Sequence, residues 1–237
     1  MIATGGAPRE VLTVAADAFS ATTAALIGDA LRAAVSARGK CRIVLAGGRT
    51  PAAVYRVLAA DATVPWGQVS AFIGDERCVP PDHAESNYAM INDTLLSVVT
   101  MEEDRIFRLR GELGGAAAAA EYDAMLDALG GEPKFDIVLS GMGADGHTAS
   151  LFPGDPMVDQ ATGWAMPSVA PPPFAISDRV GLTLRALNES RLQVVLCTGD
   201  DKKPVRQRIL SGAADAAMLP AARLSGTERT VWVVDPD

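Results

Sequence analysis

The feature that most constrains the fold is an alternation of short apolar runs with amphipathic or Ala/Leu-rich segments along the whole chain. The apolar runs predict strands and the longer segments predict helices. Strands are predicted at 11–14, 42–46, 69–73, 106–109, 136–139, 165–169, 180–184, 193–197 and 230–234. Helices are predicted at 17–37, from 50 onward, and at 86–96, 116–129 and 203–210, with Thr50 and Ser86 as N-caps and Pro51 at a first helical position.

Repeated strand–helix alternation predicts an α/β fold, in which a mostly parallel sheet is covered by helices on both faces. Apolar residues make up 49% of the chain, which is enough for a substantial core. No convincing boundary divides the sequence, so we expect a single domain over residues 1–237. Ligands of such sheets bind beyond the carboxyl ends of the strands, where the strand order reverses. The loops that follow strands are therefore the places to look for chemistry.

The composition argues against several classes of function. The 21 basic and 29 acidic residues give a formal charge of −8, which disfavours a nucleic-acid or anionic-membrane surface. A small anionic substrate is still compatible, because a few cations in one pocket outweigh a distant, screened average charge. The three cysteines are scattered and predict reduced thiols, and two histidines supply a metal site poorly. With no signal-peptide pattern and no apolar run of roughly 20 residues, the cytoplasm is the expected location.

The first informative loop follows the second predicted strand and contains Gly47, Gly48, Arg49 and Thr50. Glycines allow close approach of the backbone to a ligand, and a helix start offers free N–H groups, so this loop could cradle a phosphate. It lacks the Lys-Ser/Thr pair of a P-loop. A tight strand–helix turn without a ligand explains the same residues equally well.

The second loop, Gly74-Asp75-Glu76-Arg77, places two carboxyl groups and a guanidinium at a strand end. Arg77 has the forked geometry that suits a phosphate. The alternative is a surface ion pair between Glu76 and Arg77, worth at most about 1 kcal/mol.

The third loop follows the strand at 136–139 and contains a GxGxxG pattern. Pro153 interrupts the helix that a dinucleotide site would need, and no acidic strand end follows about 20 residues later, so we disfavour a dinucleotide cofactor. His147 ends this glycine-rich turn, and Asp145 precedes it by two residues. A neutral imidazole there could take a proton from water, whereas the alternative is a histidine that only bonds its own loop. His83, in a proline-rich loop, is expected to be exposed.

The fourth loop, 198–203, follows the strand at 193–197 and starts the last predicted helix. Lys202 or Lys203 could neutralise a phosphate as a point charge. The alternative is an exposed helix start with mixed charges.

Together these loops resemble the 6-phosphogluconolactonase family within the glucosamine-6-phosphate isomerase/deaminase superfamily. The most specific stretch is FDIVLSGMGADGHTASLFPG at 135–154, and GDERCVPPDHAESNY at 74–88 is the second match. LAGGRTP at 45–51 and the 198–203 turn match more weakly. The four stretches occur in the family's order, so the resemblance covers most of the chain.

The resemblance implies a Rossmann-like three-layer α/β fold, no metal or organic cofactor, and hydrolysis of a phosphorylated sugar lactone in the pentose phosphate pathway. By matching positions, His147 corresponds to the base that activates water, and Asp145 and Asp75 to residues that orient the site. The positions that correspond to the substrate and phosphate pocket are Gly47, Gly48, Arg49, Thr50, Arg77, Arg179 and Lys202. The expected partner is the small-molecule substrate, with no nucleic acid or membrane, and the expected state is a monomer or weak homodimer.

Two departures and two rivals accompany this resemblance. Arg49 stands where the family usually has a small serine, and the segment before Arg179 lacks the family's lysine and is longer. A glucosamine-6-phosphate deaminase would carry a glutamate where this chain has Phe152, and a phenyl ring cannot relay a proton. A non-catalytic sugar-phosphate sensor would bind the same ligands without turnover.

Overall fold

The computed structural model describes residues 9–130 and 134–236. Its strands are β1 (Arg9–Thr13), β2 (Cys41–Leu45), β3 (Val69–Ile73), β4 (Asp75–Arg77), β5 (Ile106–Phe107), β6 (Phe135–Gly141), β7 (Ala165–Val169), β8 (Asp178–Leu182), β9 (Ser190–Cys197) and β10 (Arg229–Val234). Its α-helices are α1 (Phe19–Arg38), α2 (Arg49–Ala59), α3 (Asn87–Ile91), α4 (Gly115–Ala128), α5 (Met157–Gln160), α6 (Leu184–Asn188) and α7 (Lys203–Leu210). A π-helical segment, Asn92–Leu96, continues α3.

Seven strands form one parallel sheet in the order β1-β10-β9-β6-β2-β3-β5. Alternate residues of its strands enter two separate apolar clusters, as the period of a strand requires. In β9, Val194 and Leu196 face the cluster that contains α1 and α2, whereas Val195 and Cys197 face the cluster of α4, α6 and α7. The predicted α/β fold with helices on both faces of a parallel sheet is therefore confirmed.

A second, smaller sheet was not predicted. It is antiparallel, with the order β4-β8-β7, and it contains the two strands predicted at 165–169 and 180–184. Its third member, β4, is the Asp-Glu-Arg tripeptide that the sequence places in a charged loop. Three charged residues carry no apolar alternation, so only their pairing with β8 makes them a strand.

The predicted cap of α2 is wrong by two residues. The helix begins at Arg49, and Gly48 occupies the N-cap position with φ of 106°, a conformation that favours glycine. Pro51 is consequently the third helical residue, and the Thr50 hydroxyl is within 3.0 Å of the Thr198 hydroxyl. The predicted Ser86 cap of α3 is confirmed, because its Oγ accepts a hydrogen bond from the Ala89 N–H at 3.1 Å.

Within the described residues, no helix combines the length and the apolarity needed to cross a membrane.

Candidate active site

A cavity of about 250 Å³ opens at the carboxyl ends of β2, β3, β6 and β9. The chain passes from β2 to β3 on one side of the sheet and from β6 to β9 on the other, so the cavity lies where the strand order reverses. Nine of the residues singled out from the sequence line it: Gly47, Gly48, Arg49, Thr50, Asp75, Arg77, His147, Arg179 and Lys202. A larger cavity of about 810 Å³ lies near the amino ends of β1 and β10, and none of these residues lines it.

The tenth predicted residue, Asp145, is held against His147. One oxygen of Asp145 accepts hydrogen bonds from the backbone N–H of His147 at 3.0 Å and from its Nδ1 at 2.6 Å. Burial raises the pKa of Asp145, but the hydrogen bonds to His147 outweigh burial and leave that pKa below its ordinary value. An ionised carboxylate only accepts, so Nδ1 carries a proton, and the lone pair of the neutral form of the imidazole is on Nε2.

The glycine at 143 is required for this arrangement. A Cβ added there would lie 2.2 Å from both Nδ1 and Cε1 of His147, which is far inside van der Waals contact. Any side chain at position 143 would therefore displace the imidazole ring.

A tight turn directly after His147 brings the loop that carries this histidine into contact with β4. Thr148 and Leu151 exchange backbone hydrogen bonds across it, and both central residues have positive φ, 46° at Ala149 and 59° at Ser150. Non-glycine residues in this conformation cost roughly 1–2 kcal/mol each. The turn brings the Ser150 hydroxyl to 2.5 Å from Asp75 Oδ2, so it fixes one carboxyl of the cavity wall.

Asn87 holds the other side of Asp75. Its Nδ2 donates to the Asp75 carbonyl at 2.8 Å and lies 3.3 Å from Asp75 Oδ1. The same amide packs under Gly47, where an added Cβ would lie 2.0 Å from Asn87 Oδ1. The absence of a side chain at Gly47 in the first loop thus leaves space for Asn87, which orients Asp75 of the second loop.

Arg77 and Arg179 are a directly opposed cross-strand pair of β4 and β8. Like charges in this position repel one another in the absence of an anion. Burial, and next the neighbouring Arg77, lower the pKa of Arg179. The Nε of Arg77 is buried and has no acceptor among the described residues, although its Nη1 donates to the Glu85 carbonyl. The Nε of Arg179 donates to the Ile176 carbonyl at 2.9 Å, and both arginines line the cavity. Two opposed guanidinium groups in one cavity form an attractive site for a phosphate or carboxylate.

The proposed surface ion pair between Glu76 and Arg77 is wrong, because Glu76 points into the protein. Its side chain is only 2% exposed, and it accepts four hydrogen bonds. The donors are the backbone N–H groups of Arg77, Asn87 and Tyr88 and the hydroxyl of Ser86, at 2.7–2.9 Å. Burial raises the pKa of Glu76, and these four bonds counter the rise. Glu76 therefore anchors the 78–88 loop and α3.

The fourth loop supplies one lysine to the cavity. Lys202 lines it, whereas Lys203 lies 2.9 Å from Asp200 in an ion pair on the helix surface. Thr198 joins this loop to the first one through Thr50. His83 is exposed, as expected, and its Nδ1 accepts from the Glu85 N–H at 3.1 Å.

Two aromatic rings flank His147. Phe152 is buried with its centroid 5.0 Å from the imidazole, and Phe174 packs edge-on against the imidazole at 5.6 Å. In the sequence, Phe152 stands out only as a replacement for a glutamate, and Asn87, Ser150 and Phe174 are not among the predicted site residues. Ser150 and Phe152 follow His147 within the same motif, which was the available signal. Asn87 and Phe174 reach the cavity through tertiary packing.

Comparison with known proteins shows the family of this chain. The family model described as "Glucosamine-6-phosphate isomerases/6-phosphogluconolactonase" matches residues 15–232. The 6-phosphogluconolactonase of Mycobacterium tuberculosis is 37% identical over 225 residues, which cover 90% of this chain and 89% of the relative. The crystal structure of 6-phosphogluconolactonase from Thermotoga maritima superposes with a TM-score of 0.86 at 30% identity, over 97% of this chain and all (100%) of that one.

A structure of a monomeric glucosamine-6-phosphate deaminase also superposes, with a TM-score of 0.80, over 95% of this chain and 97% of its own. Its sequence identity is 19%, so that likeness concerns the fold alone. The family model and the more similar relatives decide the assignment. The chain belongs to the glucosamine-6-phosphate isomerase/6-phosphogluconolactonase family and, within it, to the 6-phosphogluconolactonase family.

Proposed function

We propose that this protein hydrolyses 6-phospho-D-glucono-1,5-lactone to 6-phosphogluconate, with His147 as the base that activates water. One observation carries the proposal. An imidazole whose Nδ1 lies 2.6 Å from an oxygen of Asp145 shares a cavity with an opposed pair of arginines and a lysine. A base beside a cluster of cations is what the hydrolysis of an anionic ester requires.

In the proposed chemistry, His147 removes a proton from water as the water oxygen attacks C1 of the lactone. The tetrahedral intermediate collapses, the bond between C1 and the ring oxygen breaks, and His147 returns the proton to that oxygen. Asp145 stabilises the imidazolium that exists between these two transfers. Asp75, held by Ser150 and Asn87, orients the same side of the cavity.

The cationic side chains supply orientation. Thr50, Lys202 and the N–H groups at the start of α2 hold the 6-phosphate in this proposal, with Arg77 and Arg179 as further cationic ligands. Binding of the remote phosphate fixes the lactone carbonyl beside His147. This orientation lowers the barrier of the chemical step and so raises kcat. Unphosphorylated gluconolactone should therefore be a much poorer substrate.

Phe152 supports hydrolysis over deamination. It occupies the position where a deaminase would carry a glutamate, and it is buried against the imidazole. A phenyl ring there provides no group that could transfer a proton to a sugar ring.

The test is a rapid hydrolysis assay on freshly prepared 6-phosphogluconolactone, comparing wild type with His147→Ala. We expect kcat to fall by about 10²–10⁴-fold, the usual contribution of a general base. His83→Ala is the matched control, because it removes the exposed histidine, and it should retain wild-type kcat.

Two results would overturn the proposal. Release of ammonia from glucosamine 6-phosphate by the wild type would assign a deaminase. Tight binding of 6-phosphogluconate without turnover of the lactone would assign a sensor.

A further inference from the structure

Phe174 contacts two groups of the site at once, although it belongs neither to the loop that carries His147 nor to the strand that carries Arg179. It lies in the connection between β7 and β8, which the Ala170 N–H closes by donating to the Ser177 carbonyl at 2.8 Å. Its ring meets the imidazole of His147 edge-on, with an interplanar angle of 85°. The guanidinium carbon of Arg179 lies 5.6 Å from the centroid of the same ring.

The three aromatic side chains form a closed cluster. Phe152 and Phe174 have centroids 5.7 Å apart, and each contacts His147, so the three rings pack in a triangle and the imidazole contacts both phenyl rings. Asp145 fixes one edge of the imidazole, but a single hydrogen bond leaves the ring free to tilt about it. The two phenyl rings remove that freedom.

Phe174 is 40% exposed and lines the cavity that contains His147 and Arg179. Phe152, by contrast, is 5% exposed and belongs to the core. Exposure also means that Phe174 can be replaced without opening a large core cavity. Its effect on the site can therefore be separated from its effect on folding.

We propose that Phe174 is a positioning residue that sets the tilt of the His147 imidazole through their edge-to-face contact and the place of the Arg179 guanidinium through its ring face. This rests on the proposed hydrolysis for its kinetic consequences, but not for its structural ones. Edge-to-face aromatic pairs and cation–π contacts both depend on the ring quadrupole, so bulk alone does not replace the phenyl group.

Kinetics of three variants separate the two contacts. In Phe174→Ala, we expect kcat to fall on the order of 10-fold as the imidazole loses its alignment, and KM to rise roughly 3-fold as Arg179 loses its cation–π partner. Phe174→Leu keeps apolar bulk against His147 but offers no ring face, so kcat should recover in part while KM stays raised. Phe174→Tyr should restore both. Val169→Ala, an exposed apolar position (68%) at the end of β7, is the matched control.

Proton NMR of the ligand-free protein provides a readout that a merely structural role would not move and that does not depend on turnover. The chain contains two histidines, so His147→Asn assigns the ring signals. The readout is the set of nuclear Overhauser effects between the His147 ring protons and the Phe152 ring, because Phe174→Ala changes neither of these groups. These effects should weaken in Phe174→Ala as the imidazole tilts, with the His83 signals unchanged. Unfolding in urea confirms that each variant is folded.

The proposal is overturned if Phe174→Ala leaves both the NMR contacts between His147 and Phe152 and kcat at wild-type values, or if Phe174→Leu equals wild type in kcat and KM. Should wild type fail to hydrolyse the lactone, the NMR contacts between His147 and Phe152 still decide whether Phe174 orients the imidazole. The two proposals can therefore fail separately.

Discussion

At the scale of single residues, the site depends on one carboxylate oxygen. Asp145 Oδ1 receives both the backbone N–H and the ring Nδ1 of His147, so one atom fixes the position and the tautomer of the base. The short Asp-Gly-His spacing makes this possible, because the glycine between them takes a positive φ of 87° and turns the chain back. This pairing was foreseeable from sequence, since both partners lie in one loop.

Asp145→Asn tests that dependence. An amide can still meet the imidazole, but it carries no charge to stabilise the imidazolium formed when water loses its proton. We expect kcat to fall on the order of 10²-fold, with KM little changed because phosphate binding is untouched. Steady-state kinetics on the lactone provide the measurement, with Asp82→Asn, beside the exposed His83, as control. An unchanged kcat would contradict the orienting role of Asp145.

At the scale of elements, the pattern of apolar and polar residues predicted those strands and helices whose bounds depend on neighbouring residues alone. The bounds of β3, β7 and α7 agree with the prediction at every residue, and the Ser86 cap is confirmed. Pattern failed at β4, a strand only because it pairs with β8, and at the start of α2, where a glycine with positive φ moves the cap. The opposed arginines of β4 and β8 were equally invisible, because their meeting depends on that pairing.

Glu76 is the clearest test of an element's stability, because its carboxyl group organises the whole 78–88 loop. In a glutamine at position 76, an NH₂ group replaces one of the two carboxylate oxygens. This NH₂ group would face buried N–H and O–H donors, which would then lack an acceptor. We expect Glu76→Gln to lower the free energy of unfolding by about 2–4 kcal/mol, measured by urea denaturation. Glu85→Gln, whose side chain is 54% exposed, should change it little. Equal stability of the two variants would contradict the anchoring role.

At the scale of the whole molecule, the sheet collects residues that are far apart in the chain. The order β9-β6-β2-β3 places β4 and the loops at 47–50, 147–150 and 198–202 around one cavity. Sequence predicted the edge at which they meet from the general behaviour of α/β sheets. It could not predict the strand order, which depends on pairing between distant segments, or the hairpin that carries Phe174 over the imidazole.

The response of the whole molecule to acid follows from carboxylates that the fold stabilises. Hydrogen bonds from Thr63 and then Arg32 lower the pKa of Asp61 to about 2, whereas an unfolded aspartate titrates near about 3.9. The pKa values of Asp145 and Asp235 are also lowered, in both cases because hydrogen bonds outweigh burial. Below about pH 4 the unfolded chain binds more protons than the folded one, so the free energy of unfolding falls as the pH falls.

Asp61→Asn isolates one of these carboxylates, which ties α1 to the turn after α2 through Arg32 at 2.8 Å. The contribution of Asp61 is fully present above its unfolded pKa and is lost as the pH falls towards about 2, where the folded carboxylate is protonated. We therefore expect the variant to be less stable than wild type at pH 7, and the difference to narrow progressively below about pH 4. Urea midpoints across this range measure it. A difference that stayed constant with pH would mean that Asp61 acts through the shape of its hydrogen bonds rather than through its charge.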